Sequence, residues 1–129
     1  MPRRSYFPNP DNKPSGFSPA TRAGNLIFVS GQVSVDSGGN IVGEGDVYAQ
    51  AVQCLSNVEA ALNAAGGTRS DITKITCFLI NAEDYAGYAK ARLEFFDGDP
   101  GPASSTVFIK GLVSPSYLIE IEAHAVVGV

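Results

Sequence analysis

Gly101–Val129 reads GPASSTVFIKGLVSPSYLIEIEAHAVVGV. Two β-rich runs, Ser104–Lys110 and Tyr117–Val127, flank a loop that holds Pro115, so the segment reads as two strands joined by a turn. The closing run alternates with period two. Tyr117, Ile119, Ile121, Ala123 and Ala125 fall on one face, and Leu118, Glu120, Glu122, His124 and Val126 on the other. The apolar row is expected under helices. The mixed row, with two carboxylates and the sole histidine, is expected to face a partner or a cleft.

Working back from that strand, the pattern changes period. Ile72–Ile80 is β-branched and mostly apolar, as an inner strand should be. Asp46–Ala65 reads as a helix: Val47, Ala51, Leu55, Val58 and Leu62 form one apolar stripe, and Gly66-Gly67 ends it. A second helix is expected over Ala82–Phe96, capped by Asn81, with Tyr85, Ala89, Leu93 and Phe96 as its buried side. Leu26–Val35 is a strand with a bulge or close backbone approach expected at Gly31, and Gly16–Arg22 a short strand broken by Pro19, hence an edge or a bulged one. Residues 1–15 carry four of the eight prolines and read as an irregular arm ahead of a single domain, 16–129. The order β-β-α-β-α-β-β gives an α+β fold with both helices on one face of a sheet. No third helix remains for the other face, which predicts self-association through it.

Composition narrows the partners. The net charge of −4 comes with no basic cluster, which argues against nucleic acid. Cys54 and Cys77 lack a CxxC spacing or a neighbouring His, so they read as small packed hydrophobes and not as metal ligands. No apolar run follows the Arg3-Arg4 pair, and none elsewhere is long enough to span a bilayer, so the expected address is cytoplasmic, without a membrane partner.

Several short pieces, in order, resemble the reactive-intermediate-deaminase (Rid, or YjgF-like) family. They are Gly16-Phe17-Ser18, Arg22–Asn25, Val29–Gln32, Gln53–Val58, Leu62–Gly66, Asn81–Tyr85, Glu94–Phe96 and Glu120–Ala123. The resemblance implies a chorismate-mutase-like fold and a homotrimer with a small-molecule cleft between subunits. It implies no cofactor and no metal. It also implies hydrolysis of a 2-imino acid, or its enamine, to a 2-keto acid and ammonia.

Carried over by position, Glu120 matches the family glutamate that orients the attacking water. Ser30 and Gly31 match the cleft-lining loop, and Thr106 a residue whose backbone amide faces the site. Three positions depart. Phe17 stands where many members have tyrosine, Ala89 where asparagine is common, and Ser104 where the family carries its substrate-binding arginine. Losing a bidentate contact to a carboxylate costs on the order of 2–5 kcal/mol.

Arg92, or Lys90 beside it, is a candidate substitute cation on the second helix; the other reading is a solvated helix face. Glu122 and His124 read as structural or interface residues, with His124 as a general base the sharper alternative. Ser104 and Ser105 lack the partner base a nucleophile needs. Two functions stay open: an imine or enamine deaminase with specificity shifted from 2-imino acids, and a non-catalytic ligand-binding or chaperone-like trimer.

Overall fold

The C-terminal strand lies in the interior of the sheet. In the structure, a computed structural model that describes residues 2–128, six strands take the order β1-β2-β3-β6-β4-β5. They are β1 (Arg4–Tyr6), β2 (Ala20–Ala23), β3 (Leu26–Gln32), β4 (Ile72–Leu79), β5 (Ala103–Phe108) and β6 (Ile119–Val126). Two helices, α1 (Val47–Ala64) and α2 (Tyr85–Phe95), link β3 to β4 and β4 to β5. β6 runs antiparallel to both β3 and β4, whereas β4 and β5 are parallel. That parallel pair follows from the chain between them: a crossover through α2 returns the strand in the same direction.

The alternation read from the sequence sets the layers. Ile119, Ile121, Ala123 and Ala125 are fully buried against the helices, and α1 packs across β3 and β6. Tyr117, expected in that row, precedes the strand and is only half-buried, because pairing begins at Ile119. The opposite face carries Glu120, Glu122, His124 and Val126, as alternation requires. Leu26, Phe28, Val107 and Val126 remain 42–48% exposed there, and no helix of the described residues covers them.

α1 forms where its stripe and caps predict. Asp46 accepts a hydrogen bond from the Ala49 N–H at 3.1 Å, and Gly66 adopts φ 91° just past the end, a conformation that disfavours a side chain. Its buried stripe is wider than expected, since Gln50, Cys54 and Ala61 join it. Both cysteines are buried free thiols, in keeping with a packing role. Burial pushes the Cys77 thiol up to about 12 and raises that of Cys54 too, so neither is a nucleophile near neutral pH.

Other expectations need correction. Residues 1–15 are not wholly irregular, because Arg4–Tyr6 pairs antiparallel with β2 and supplies an outer strand. The second strand runs over Ala20–Ala23, past Pro19, and not over Gly16–Arg22; with β1 outside it, it is neither an edge nor bulged. β3 ends at Gln32, short of Val35; the bulge does fall between Val29 and Gln32, around Gly31.

The second helix starts later and buries a different side. Ala82–Asp84 is a 3₁₀ turn, and Asn81 makes no capping bond to the backbone. Tyr88 and Ala91 are the buried residues of α2, while Tyr85 and Leu93 are largely exposed and Ala89 is half-buried. Two apolar stripes run side by side along this helix. The one headed by Tyr88 meets α1 and the sheet, and the one headed by Tyr85 overhangs the β5 edge.

Candidate functional site

That overhang makes a pocket. It is about 630 Å³, and its walls include Tyr85, Ala89 and Arg92 of α2 and Ser104 and Thr106 of β5. The strand register explains why the two sets meet. Ser104 and Thr106 pair with Ile75 and Cys77, whose side chains are buried on the helix side, so their own side chains rise beneath α2.

Arg92 reaches down from the last turn of α2 toward the strand. Its Nη1 donates to Ser104 Oγ at 3.4 Å and its Nη2 to the Tyr85 hydroxyl at 3.3 Å. The guanidinium carbon also lies 5.0 Å from the Tyr88 ring centre and 5.8 Å from that of Tyr85. Aromatic faces at such distances attract the cation. Among the described residues Arg92 forms no ion pair. The Tyr88 hydroxyl is fully buried and has no hydrogen-bond partner among them. Burial, then Cys77, push this phenol above its ordinary value, while Ser104 and Arg92 pull it back.

Glu120 is not in this pocket. It lies on the opposite face of the sheet, paired across from Phe78. Its carboxylate sits over the bulge at Gly31. A Cβ added there would stand 2.6 Å from Glu120 Cδ and 3.0 Å from Cγ, and closer still to Oε2. Glycine is thus what lets the carboxylate lie against the strand. Burial first, and Glu122 second, hold the Glu120 carboxyl above the usual carboxylate range.

Other residues named from the sequence make structural contacts. Ser30 Oγ donates to the Ser18 carbonyl at 2.6 Å, which ties the bulge to the preceding segment. Phe17 is 60% exposed and shares with Gly31 a second pocket of about 410 Å³. His124 packs edge-on against Phe28 with ring centres 5.0 Å apart. Among the described residues no group of three or more His, Cys, Asp or Glu is placed to hold a metal ion, and no helix is long and apolar enough to cross a membrane.

The sequence-derived site residues therefore fall into two groups with the sheet between them. Ala89, Arg92, Ser104 and Thr106 belong to the helix-side pocket. Glu120 lies over Gly31 on the open face, with Ser30 in the same bulge; Phe17 meets this group only through the pocket it shares with Gly31, which Asn57 and Ala60 of α1 also line. Tyr85 and Tyr88 were missed as site residues, although Tyr85, Tyr88 and Arg92 have the spacing i, i+3, i+7 of one helix face.

The chain and its fold are similar to known proteins. The pattern of the family described as endoribonuclease L-PSP matches residues 11–127. A RutC family protein of Pyrococcus horikoshii is 38% identical over 114 residues, covering 88% of this chain and 89% of the relative. The structure of the Rid-family protein YyfA of Yersinia pestis superposes with a TM-score of 0.88 at 29% identity, covering 98% of this chain and all of the other. That of E. coli TdcF with bound serine gives 0.86 at 30% identity over 97% of this chain and 99% of the other. The α+β sheet with two helices is the chorismate-mutase-like arrangement of such neighbours.

Proposed function

The chain belongs to the endoribonuclease L-PSP family, the family of the YjgF, RutC and Rid proteins, and on that premise we propose that it hydrolyses small reactive imines or enamines to a carbonyl compound and ammonia. The observation that carries this reading is Glu120, seated over the bare backbone of Gly31 with a raised carboxyl pKa. Once ionised, this carboxylate accepts a hydrogen bond from a water and aims its lone pair at the C=N carbon. The carbon–oxygen bond forms as the water proton passes to nitrogen, and the carbinolamine then expels ammonia to leave C=O. An enamine enters the same path after protonation at carbon. Positioning accounts for much of the rate with so electrophilic a substrate.

The reading requires more than one copy of the chain. The helix-side pocket and Glu120 lie on opposite faces of one sheet, and the face around Glu120 exposes Leu26, Phe28, Val107 and Val126. A homotrimer in which the open faces meet would bury that apolar surface, and because β5 is a sheet edge the pocket that overhangs it would come beside Glu120 of the next copy. The proposed protein is thus a cytoplasmic homotrimer with inter-subunit clefts, working without a cofactor. RNA is a poor fit to a chain of net charge −4.

The test is ammonia release from imines made in situ by an amino-acid oxidase, comparing the wild type with Glu120→Gln. Acceleration by the wild type and a loss of about 10²-fold or more in the variant are expected. Equal rates in the two proteins would overturn the assignment. Ser104, in place of the expected arginine, favours a second reading: a trimer that binds such metabolites without turning them over. E. coli TdcF holds serine, a small amino acid of the kind such a binding trimer would take. Thermal stabilisation by small carboxylates with no ammonia release would select this second reading.

A further inference from the structure

We propose that Arg92 is the anion anchor of the helix-side pocket, receiving the carboxylate of a ligand whose remaining bulk is large and apolar. This deepens the reading above, since it names the ligand class of the same cleft. Arginine offers five N–H donors in a fixed fork. Only two are engaged by residues that line the pocket, at 3.3 and 3.4 Å, long enough to be exchanged for charge-assisted bonds of about 2.8 Å. Asp99 also borders the pocket yet forms no ion pair with Arg92, so the cation is not neutralised. The two tyrosine rings hold the guanidinium in place before any ligand arrives, which lowers the entropy lost on binding. The buried Tyr88 hydroxyl makes no well-formed hydrogen bond but lies close to Ser104 and Arg92, which both act on its titration.

Serine at 104 and arginine at 92 are one device. With Nη1 3.4 Å from Ser104 Oγ, any longer side chain at 104 would extend into the space the guanidinium fills, and a second cation there would repel the first. A cation can come from the strand or from the helix, but not from both. Delivery from the helix also leaves the strand side of the pocket open. Ala89, Leu93, Phe96 and Pro102 furnish apolar wall on part of it, beside the polar Asp99, Ser104 and Thr106, and 630 Å³ is within the range of ligand pockets. A carboxylate attached to an aromatic or branched side chain suits these walls better than one attached to a methyl group.

Calorimetric titration of the assembled protein with phenylpyruvate, pyruvate and phenylpyruvamide tests the proposal. Phenylpyruvate should bind more tightly than pyruvate, and its neutral amide about 10-fold or more weaker than the acid. Arg92→Met should lose about 10–100-fold in affinity for the acid and little for the amide, with Arg92→Lys between them. Ser104→Arg alone should not tighten binding, whereas Ser104→Arg combined with Arg92→Met should recover much of the lost affinity. Circular dichroism on each variant separates lost binding from lost folding.

Binding of the acid by Arg92→Met within about threefold of wild type, well below the effect of a charge-assisted pair, overturns the proposal. So do equal affinities for acid and amide, or no binding of any of the three to the wild type. Glu120→Gln keeps the two ideas apart. If it binds phenylpyruvate normally and still releases ammonia at the wild-type rate, the deaminase reading fails while the Arg92 anchor stands.

Discussion

Gly31→Ala isolates the position of the Glu120 carboxylate from its chemistry. The new methyl would sit 2.6 Å from Glu120 Cδ and 3.0 Å from Cγ, against the 3.4 Å or more of ordinary contact. The carboxyl group must therefore retreat by most of an ångström. The retreat is cheap in stability, because what moves is the far end of a flexible, half-buried side chain and Gly31 does not hold a left-handed φ. The expected cost is below about 1 kcal/mol, a fall in Tm of no more than about 5 °C. The catalytic cost is larger, because a displacement near 1 Å loses on the order of 10²-fold in rate. In the ammonia-release assay Gly31→Ala should approach Glu120→Gln in kcat. The double variant should be no worse than the poorer single one, since both disable the same group. Retention of activity within about threefold in Gly31→Ala, or a fully additive double variant, would refute the reasoning; neither is compatible with losses that act through one displaced carboxylate.

Other consequences can be checked independently. Glu120 is needed ionised, and its pKa is raised by burial and by Glu122, so kcat/KM should rise with pH along an acid limb above the usual carboxylate range; Glu122→Gln should move that limb down, and an unmoved limb would dissociate Glu122 from the site. The same shift affects folding. Because the folded protein holds the Glu120 proton more tightly than the unfolded chain does, this group favours folding at low pH and loses that contribution as pH rises through its folded pKa, so Glu120→Gln should flatten the matching part of the stability–pH curve. Gln50, fully buried, donates to the Gly43 and Ser116 carbonyls at 3.1 and 3.0 Å and accepts from the Leu118 N–H at 2.9 Å. Gln50→Leu strands these groups and should cost about 2–4 kcal/mol, read as a fall in Tm on the order of 10 °C. Phe28→Glu places a charge on the open sheet face and should convert a trimer to single chains in analytical ultracentrifugation, with ammonia release lost alongside; a wild type that sediments as a monomer would refute the shared-cleft proposal.

Local sequence carried most of the fold because its signals are periodic and mutually consistent. The alternation over Ile119–Val126 placed four residues under the helices and two carboxylates on the open face. The stripe from Ala51 to Leu62, between Asp46 and Gly66, fixed α1. The glycine within β3 marked its bulge. Where signals were ambiguous, the reading failed. α2 has two adjacent apolar stripes, and nothing in the chain itself says which one meets the core. A three-residue strand such as Arg4–Tyr6 is too short for its period to stand out among prolines, and it exists because the edge of β2 is there to pair with it.

The site divides in the same way. By itself the sequence determined the cast: a retained glutamate at 120, a glycine at 31, a serine at 104 where an arginine was expected, and an arginine at 92 of undecided purpose. Only the tertiary structure decided how they are grouped. Strand register turned Ser104 and Thr106 toward α2 and Glu120 away from it, and α2 settled on the core through Tyr88 so that Arg92 overhangs Ser104. The physical reason is that side-chain direction along one strand or helix is a local property, set by a period of two or 3.6 residues. Which elements face each other depends on pairing and packing between segments far apart in the chain, whose relative placement no local period records.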